Sequence, residues 1–82
     1  MSYTDIARKV IATVSGVAQD TLTPEMELVA DLRIDSPKAL ELLVELEDQL
    51  GVEIADDIAA RLNTVGDILT YVAGLEASSA TS

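Results

Sequence analysis

The sequence predicts an all-α protein, a four-helix bundle with three longer helices, one short helix and a long loop between helices 1 and 2. Three observations carry this. Apolar residues make up 49% of the chain, yet the only aromatics are two tyrosines. The core is therefore built from Leu, Val, Ile and Ala, which suits packed helices better than strands. Apolar positions recur three and four residues apart between helix-stop signals. Finally, 82 residues leave room for one domain only.

The first helix is expected over Ser2–Ser15. Ser2 and Asp5 have the spacing of a capping pair. Ile6, Val10, Val14 and Val17 fall on one side at 100° per residue, with Tyr3 nearby and Asp5, Arg8 and Lys9 turned away. Gly16 is a natural stop. From Val17 to Asp35 no period holds. So long a structureless loop is uncommon in a compact domain unless it is functional or pinned, and Leu22, Met26, Leu28, Val29 and Leu32 are the expected pins.

The strongest helical pattern runs Pro37–Leu50. Proline suits the first helical position, where the missing N–H would have no partner. The residue before a proline is driven to extended backbone, so Ser36 is expected at the N-cap. Ala39, Leu43, Leu46 and Leu50 face a core, and Gly51 ends the helix. A short turn follows over Asp56–Leu62, with Ile58 and Leu62 inward. Thr64 with Asp67 repeats the capping spacing and opens a last helix to about Leu75, its stripe being Val65, Ile68, Leu69, Val72 and Leu75. Residues 1–76 thus form the domain, and the polar tail, residues 77–82, is expected to be disordered.

Fifteen acids against five bases give a formal charge of −10. Such a surface repels nucleic acid and anionic lipid, since phosphate binding needs Lys and Arg, and it suits basic partners. Between Glu41 and Asp57 there are seven acids and no base. The chain has neither cysteine nor histidine, which excludes disulfide frameworks, zinc-finger spacings and a nucleophile activated by an in-chain His. No secretory signal and no membrane-spanning segment is read from the sequence. The expectation is a soluble, cytoplasmic monomer with no membrane insertion.

Ser36 is the residue on which function turns. Ser before Pro at a helix start is commonly a simple cap. Glu41 and Glu45, one turn apart, hint at a carboxylate metal pair, but the di-iron pattern needs His partners that this chain lacks; no metal is expected. Context favours more than a cap. A second face of the same helix carries Pro37, Leu40, Glu41, Val44 and Asp48 at spacings of three and four, apolar knobs among acids, beginning at Ser36. Such faces dock on partners. Glu45 and Glu47 add to its charge.

The run D-L-R-I-D-S with an acidic helix after it, then G-V-E-I, a short helix and T-V-G-D-I, resembles the acyl carrier proteins from about Tyr3 to Leu75. The resemblance implies the acyl-carrier type of four-helix bundle, not an enzyme. It also implies a 4′-phosphopantetheine arm, drawn from coenzyme A and joined by a separate phosphopantetheinyl transferase to Ser36, with Asp35 as the motif neighbour. The arm ends in a thiol, so a chain without cysteine can hold acyl thioesters. The implied partners are that transferase and acyl-handling enzymes with basic docking patches for Pro37, Leu40, Glu41, Val44, Glu45, Glu47 and Asp48. Three positions depart from the family pattern: Pro37 replaces the usual Leu, Arg33 a frequent Gly, and Lys38 a frequent acid. They point to a specialised fatty acid, lipid or polyketide pathway. The alternatives are an aminoacyl or peptidyl carrier of the D-alanyl type, or an unmodified acidic interaction module.

Overall fold

Ser2 begins the first helix as its spacing from Asp5 requires: its Oγ accepts the Asp5 N–H at 3.2 Å. The structure, a computed structural model, describes residues 2–80, with the backbone alone for residues 36 and 78–80. Helix α1 spans Tyr3–Ser15 and α2 spans Ser36–Leu50. The short α3 is Asp56–Ala59, and α4 is Val65–Ala80. A single 3₁₀ turn, Gln19–Thr21, lies in the long loop. Both α1 and α2 stop at a left-handed glycine, Gly16 at φ 77° and Gly51 at φ 67°, a conformation that costs other residues more because of their Cβ. No helix among the described residues is long and apolar enough to cross a membrane.

Helix α1 packs against both α2 and α4. Its most buried row is Ala7 and Ile11, each 0% exposed, with Val10 beside them. Ile6, Val14 and Val17, expected on the core stripe, are only half-buried. In α2 the buried row is Leu42, Leu46 and Leu50, while Ala39 and Leu43 sit at its edge. In α4, Val65, Ile68 and Val72 fill the core, and Leu69 and Leu75 are half-buried.

The long loop is pinned, and the pins also complete α4. A helix start leaves several N–H groups without partners inside the helix. Here Val65 N–H donates to the Met26 carbonyl (3.0 Å) and Gly66 N–H to that of Pro24 (2.9 Å), while Leu28 N–H donates to the Asn63 carbonyl (2.9 Å). Leu22, Leu28, Leu32 and Ile34 are buried beneath this seam. Val29 is not a pin: it is 70% exposed, because Leu28 already takes the inward position and the next residue turns out.

At the other end, α4 continues past residue 76, where the domain was expected to give way to a tail. Glu76 Oε1 accepts the Tyr3 N–H at 2.8 Å, tying this turn to the start of α1, and neither Gly nor Pro follows to break the ladder. Residues 81–82 of the expected tail lie outside the described residues.

Gly66 is required by this seam. A Cβ there would meet the Pro24 carbonyl oxygen at 3.0 Å and its Cβ at 3.1 Å, whereas one at Gly74 meets nothing within 4 Å. Gly66→Ala is expected to lower stability by about 1–2 kcal/mol, overpacking outweighing the better helix propensity of Ala. Gly74→Ala should raise it by about 0.5–1 kcal/mol. Urea titrations of the two variants check this, and a stabilised Gly66→Ala refutes the close approach.

Thr64 and Asp67 form the reciprocal box their spacing predicts. Thr64 Oγ1 accepts the Asp67 N–H (3.1 Å), and Asp67 Oδ2 accepts from Thr64 N–H (3.1 Å) and Asn63 N–H (3.0 Å). The Asn63 and Thr64 amides hold the Asp67 carboxyl below its usual value by hydrogen-bonding its charged form; a small desolvation opposes them. A carboxylate with a depressed folded pKa contributes stability above its unfolded pKa, about 4, and loses it as pH falls through the folded value. Asp67→Asn is therefore expected to lower the melting temperature at neutral pH, with the gap to the parent closing as pH falls through and below the usual carboxylate range. A gap that stays constant with pH sinks this assignment.

Candidate functional site

The residue before Ser36 caps α2. Asp35 has extended backbone (φ −78°, ψ −177°), and its Oδ1 accepts the Lys38 N–H at 3.3 Å. Ser36 is thus the first helical residue and Pro37 the second, one position later than the sequence pattern suggested. The Ala39 N–H that a Ser36 cap would need already donates to the Asp35 carbonyl at 2.7 Å. Proline is tolerated anywhere in the first turn because those N–H groups have no partner within the helix.

What leads into the helix start is firmly held. Ile34 is 1% exposed, and its N–H donates to the Leu28 carbonyl at 2.8 Å. Asp31 Oδ2 accepts the Glu27 N–H at 2.8 Å, closing the turn before it. Arg33 adopts φ 57°, left-handed backbone that an L-residue enters at a cost of about 1–2 kcal/mol and that suits the glycine frequent there. Asp35, Pro37 and Lys38 are all exposed. The start of α2 therefore lies among exposed neighbours on a firmly held base.

Pro37, Leu40, Glu41, Val44, Glu45 and Asp48 are brought together on the exposed side of α2, with Leu40 at 64% and Val44 at 54% exposure. Glu47 is different. It is half-buried, and its Oε2 accepts the Ile54 N–H at 2.8 Å, so its carboxylate fastens the α2–α3 loop. No group of three or more metal-ligating side chains occurs among the described residues. Two residues that hold the site, Ile34 and Leu42, were absent from the sequence reading. Leu42 had a signal, since it precedes Leu46 and Leu50 at four-residue steps. Ile34 had none, because its burial comes from loop packing.

The described bundle presents a firmly held helix start beside an open face of α2. The family model described as "Phosphopantetheine attachment site" matches residues 5–72. The chain is 44% identical over 68 residues to the meromycolate extension acyl carrier protein of Mycobacterium leprae, covering 83% of this chain and 59% of that protein. It therefore spans about three-fifths of that relative's length. Identity to the acyl carrier protein of Rhodococcus erythropolis is 39% over 72 residues, 88% of this chain and 79% of that one. The solved acyl carrier protein from Enterococcus faecalis superposes with a TM-score of 0.73 at 31% identity, over 90% of this chain and 98% of that chain. The chain belongs to the acyl carrier protein family, whose members carry covalent 4′-phosphopantetheine and work with a phosphopantetheinyl transferase and acyl-handling enzymes.

The residues present fit that group. A phosphodiester is favoured at a helix start by the positive end of the helix dipole. Arg33 and Lys38, two of the chain's five cations, are exposed on either side of residue 36. An open depression of about 610 Å³ begins at Pro37, giving the arm room.

Proposed function

We propose that Ser36 is the attachment residue and that the chain carries acyl groups as thioesters on its arm, serving a specialised fatty acid, lipid or polyketide pathway in the cytoplasm. The observation that carries this reading is the position of Ser36: first residue of a helix capped by its neighbour Asp35, beside exposed Pro37 and within the family match. In the loading step the Ser36 hydroxyl oxygen bonds to the pantetheine-side phosphorus of coenzyme A. The pyrophosphate P–O bond breaks, adenosine 3′,5′-bisphosphate leaves, and the hydroxyl proton passes to a base on the transferase. Asp35 acts by holding the helix start. The chain's own contribution thereafter is presentation: a monomeric acidic body whose Pro37, Leu40, Glu41, Val44, Glu45 and Asp48 meet basic patches on client enzymes.

Incubation with coenzyme A and a broad-specificity transferase, followed by intact mass, tests this. The phosphopantetheine increment is expected on the parent chain and not on Ser36→Ala. Its absence with several transferases, or its persistence in Ser36→Ala, refutes the assignment. Loading with acyl and with aminoacyl groups then separates the acyl carrier from the aminoacyl alternative.

A further inference from the structure

Acids dominate the charge of this chain, but not at the head of α2. Between Val10 and Ala60 the only bases are Arg33 and Lys38, and they fall on either side of Ser36. Both are exposed, and neither side chain forms a hydrogen bond or ion pair with a described residue. The nearest acids are engaged by backbone: Asp31 Oδ2 accepts the Glu27 N–H and Asp35 Oδ1 the Lys38 N–H. Farther along, the same side of α2 turns negative. Lys38 precedes Glu41 by about one turn and Glu45 by two, about 10 Å along the axis. The exposed face therefore reads positive beside Ser36 and negative from Glu41 to Asp48.

Both cations occupy positions where local structure favours another residue. Arg33 holds φ 57°, which glycine adopts without a Cβ penalty. Lys38 lies in the first turn of α2, where the helix dipole favours an acid and opposes a cation; that turn contains no acid. Neither residue packs in the core. Two locally unfavourable choices, of one sign and flanking one serine, mark a surface kept for recognition at the expense of stability.

We infer that this two-signed face is matched to a dedicated phosphopantetheinyl transferase, one that sets carboxylates against Arg33 and Lys38 and a Lys/Arg patch against Glu41, Glu45 and Asp48. The inference rests on attachment at Ser36. The loading step chooses the occupant. The Ser36 oxygen must reach phosphorus held inside the transferase, so that enzyme's surface closes over residues 33–38. A client enzyme receives the thioester at the far end of the arm and need not touch them. Charges of both signs fix register as well as attraction. A uniformly basic transferase surface, suited to a carrier with glycine and an acid at these two positions, meets Arg33 and Lys38 as like charges. Repulsion of that kind separates this carrier from others that share an acidic helix.

The test uses the apo chain, coenzyme A and the transferase of the organism that makes this chain, with initial loading rates read by intact mass. The double variant Arg33→Gly with Lys38→Glu should melt higher than the parent, because both local penalties are relieved. Yet its kcat/KM as carrier should fall by about ten- to hundredfold, chiefly through KM, with KM for coenzyme A unchanged. Arg33→Lys with Lys38→Arg, which keeps both charges, should load at close to the parent's rate. A transferase that serves carriers with glycine and an acid at these positions should reverse the ranking and prefer the double variant. Loading of the double variant as fast as the parent by the organism's own enzyme overturns the inference. So does an equal loss in the charge-keeping pair, which would make side-chain shape and not charge the cause. A loss confined to KM for coenzyme A overturns it too, by setting the cations against the cofactor's phosphates. A parent chain that gains no mass increment fails the attachment reading; one that is loaded but indifferent to charge at 33 and 38 fails this inference alone.

Discussion

Ile34→Ala is expected to destabilise the domain by about 2–5 kcal/mol, the range for emptying a buried Ile-sized site. Ile34 is 1% exposed, and it belongs to the loop, so its cavity opens beneath the segment that sets up α2. Its N–H bond to Leu28 and the Asp35 cap that follows depend on the same anchor. A core of this size supplies only about 3–5 kcal/mol of net stability, so the variant should be substantially unfolded at 37 °C. Ile34→Val, which removes one methylene, should cost about 0.5–1.5 kcal/mol. Val29→Ala, five residues upstream and 70% exposed, should stay within about 0.5 kcal/mol of the parent. Urea unfolding followed by circular dichroism ranks the three. An Ile34→Ala variant less than 1 kcal/mol below the parent would show that the loop is not held by this residue.

Reversing charge on the docking face should have the second large effect. Glu41 and Asp48 are exposed on α2, and neither carboxylate accepts a hydrogen bond from the described residues around it. Replacing both by Lys turns attraction for a basic patch into like-charge repulsion, which costs several kcal/mol at a close interface. A ten- to hundredfold loss in client kcat/KM is expected, equivalent to about 1.4–2.8 kcal/mol. Helicity should be retained. The parent's affinity for clients should itself fall as salt rises, since exposed charges are screened over about 8 Å at physiological ionic strength. Glu47→Lys serves as the contrast. Its carboxylate holds Ile54 N–H, so that change should lower the melting temperature instead. Client turnover that is indifferent both to the double reversal and to salt rules out an electrostatic docking face.

The four helices, the glycine stops of α1 and α2 and the caps at Ser2 and Thr64 were legible in the chain because each is a short-range event. Ser2 reaches Asp5, Thr64 reaches Asp67, and Gly16 and Gly51 take left-handed backbone, all within one turn. The attachment candidate was legible for a similar reason: Asp35, Ser36 and Pro37 are contiguous, and the family pattern is written around them. Even there the cap fell on Asp35, because Lys38 N–H lies within its reach and Ala39 N–H was already taken.

Tertiary structure alone decided which apolar residues count as core. A helical period says that Ile6, Val10 and Val14 share a side; it does not say how much of that side a neighbour covers. Packing of α1 between α2 and α4 put Ala7 and Ile11 at the centre and left Ile6 and Val14 half-buried. The same holds for charge. Glu47 resembled Glu41 and Glu45 in sequence, yet the chain's return at Ile54 converted it from a surface acid into a loop fastening. Loop burial was the least legible, with Leu28 inside, Val29 outside and Ile34 inside. Leu28 is placed by the Asn63 carbonyl, 35 residues away, and Ile34 in turn by the Leu28 carbonyl, and no local pattern in the chain encodes the distant partner.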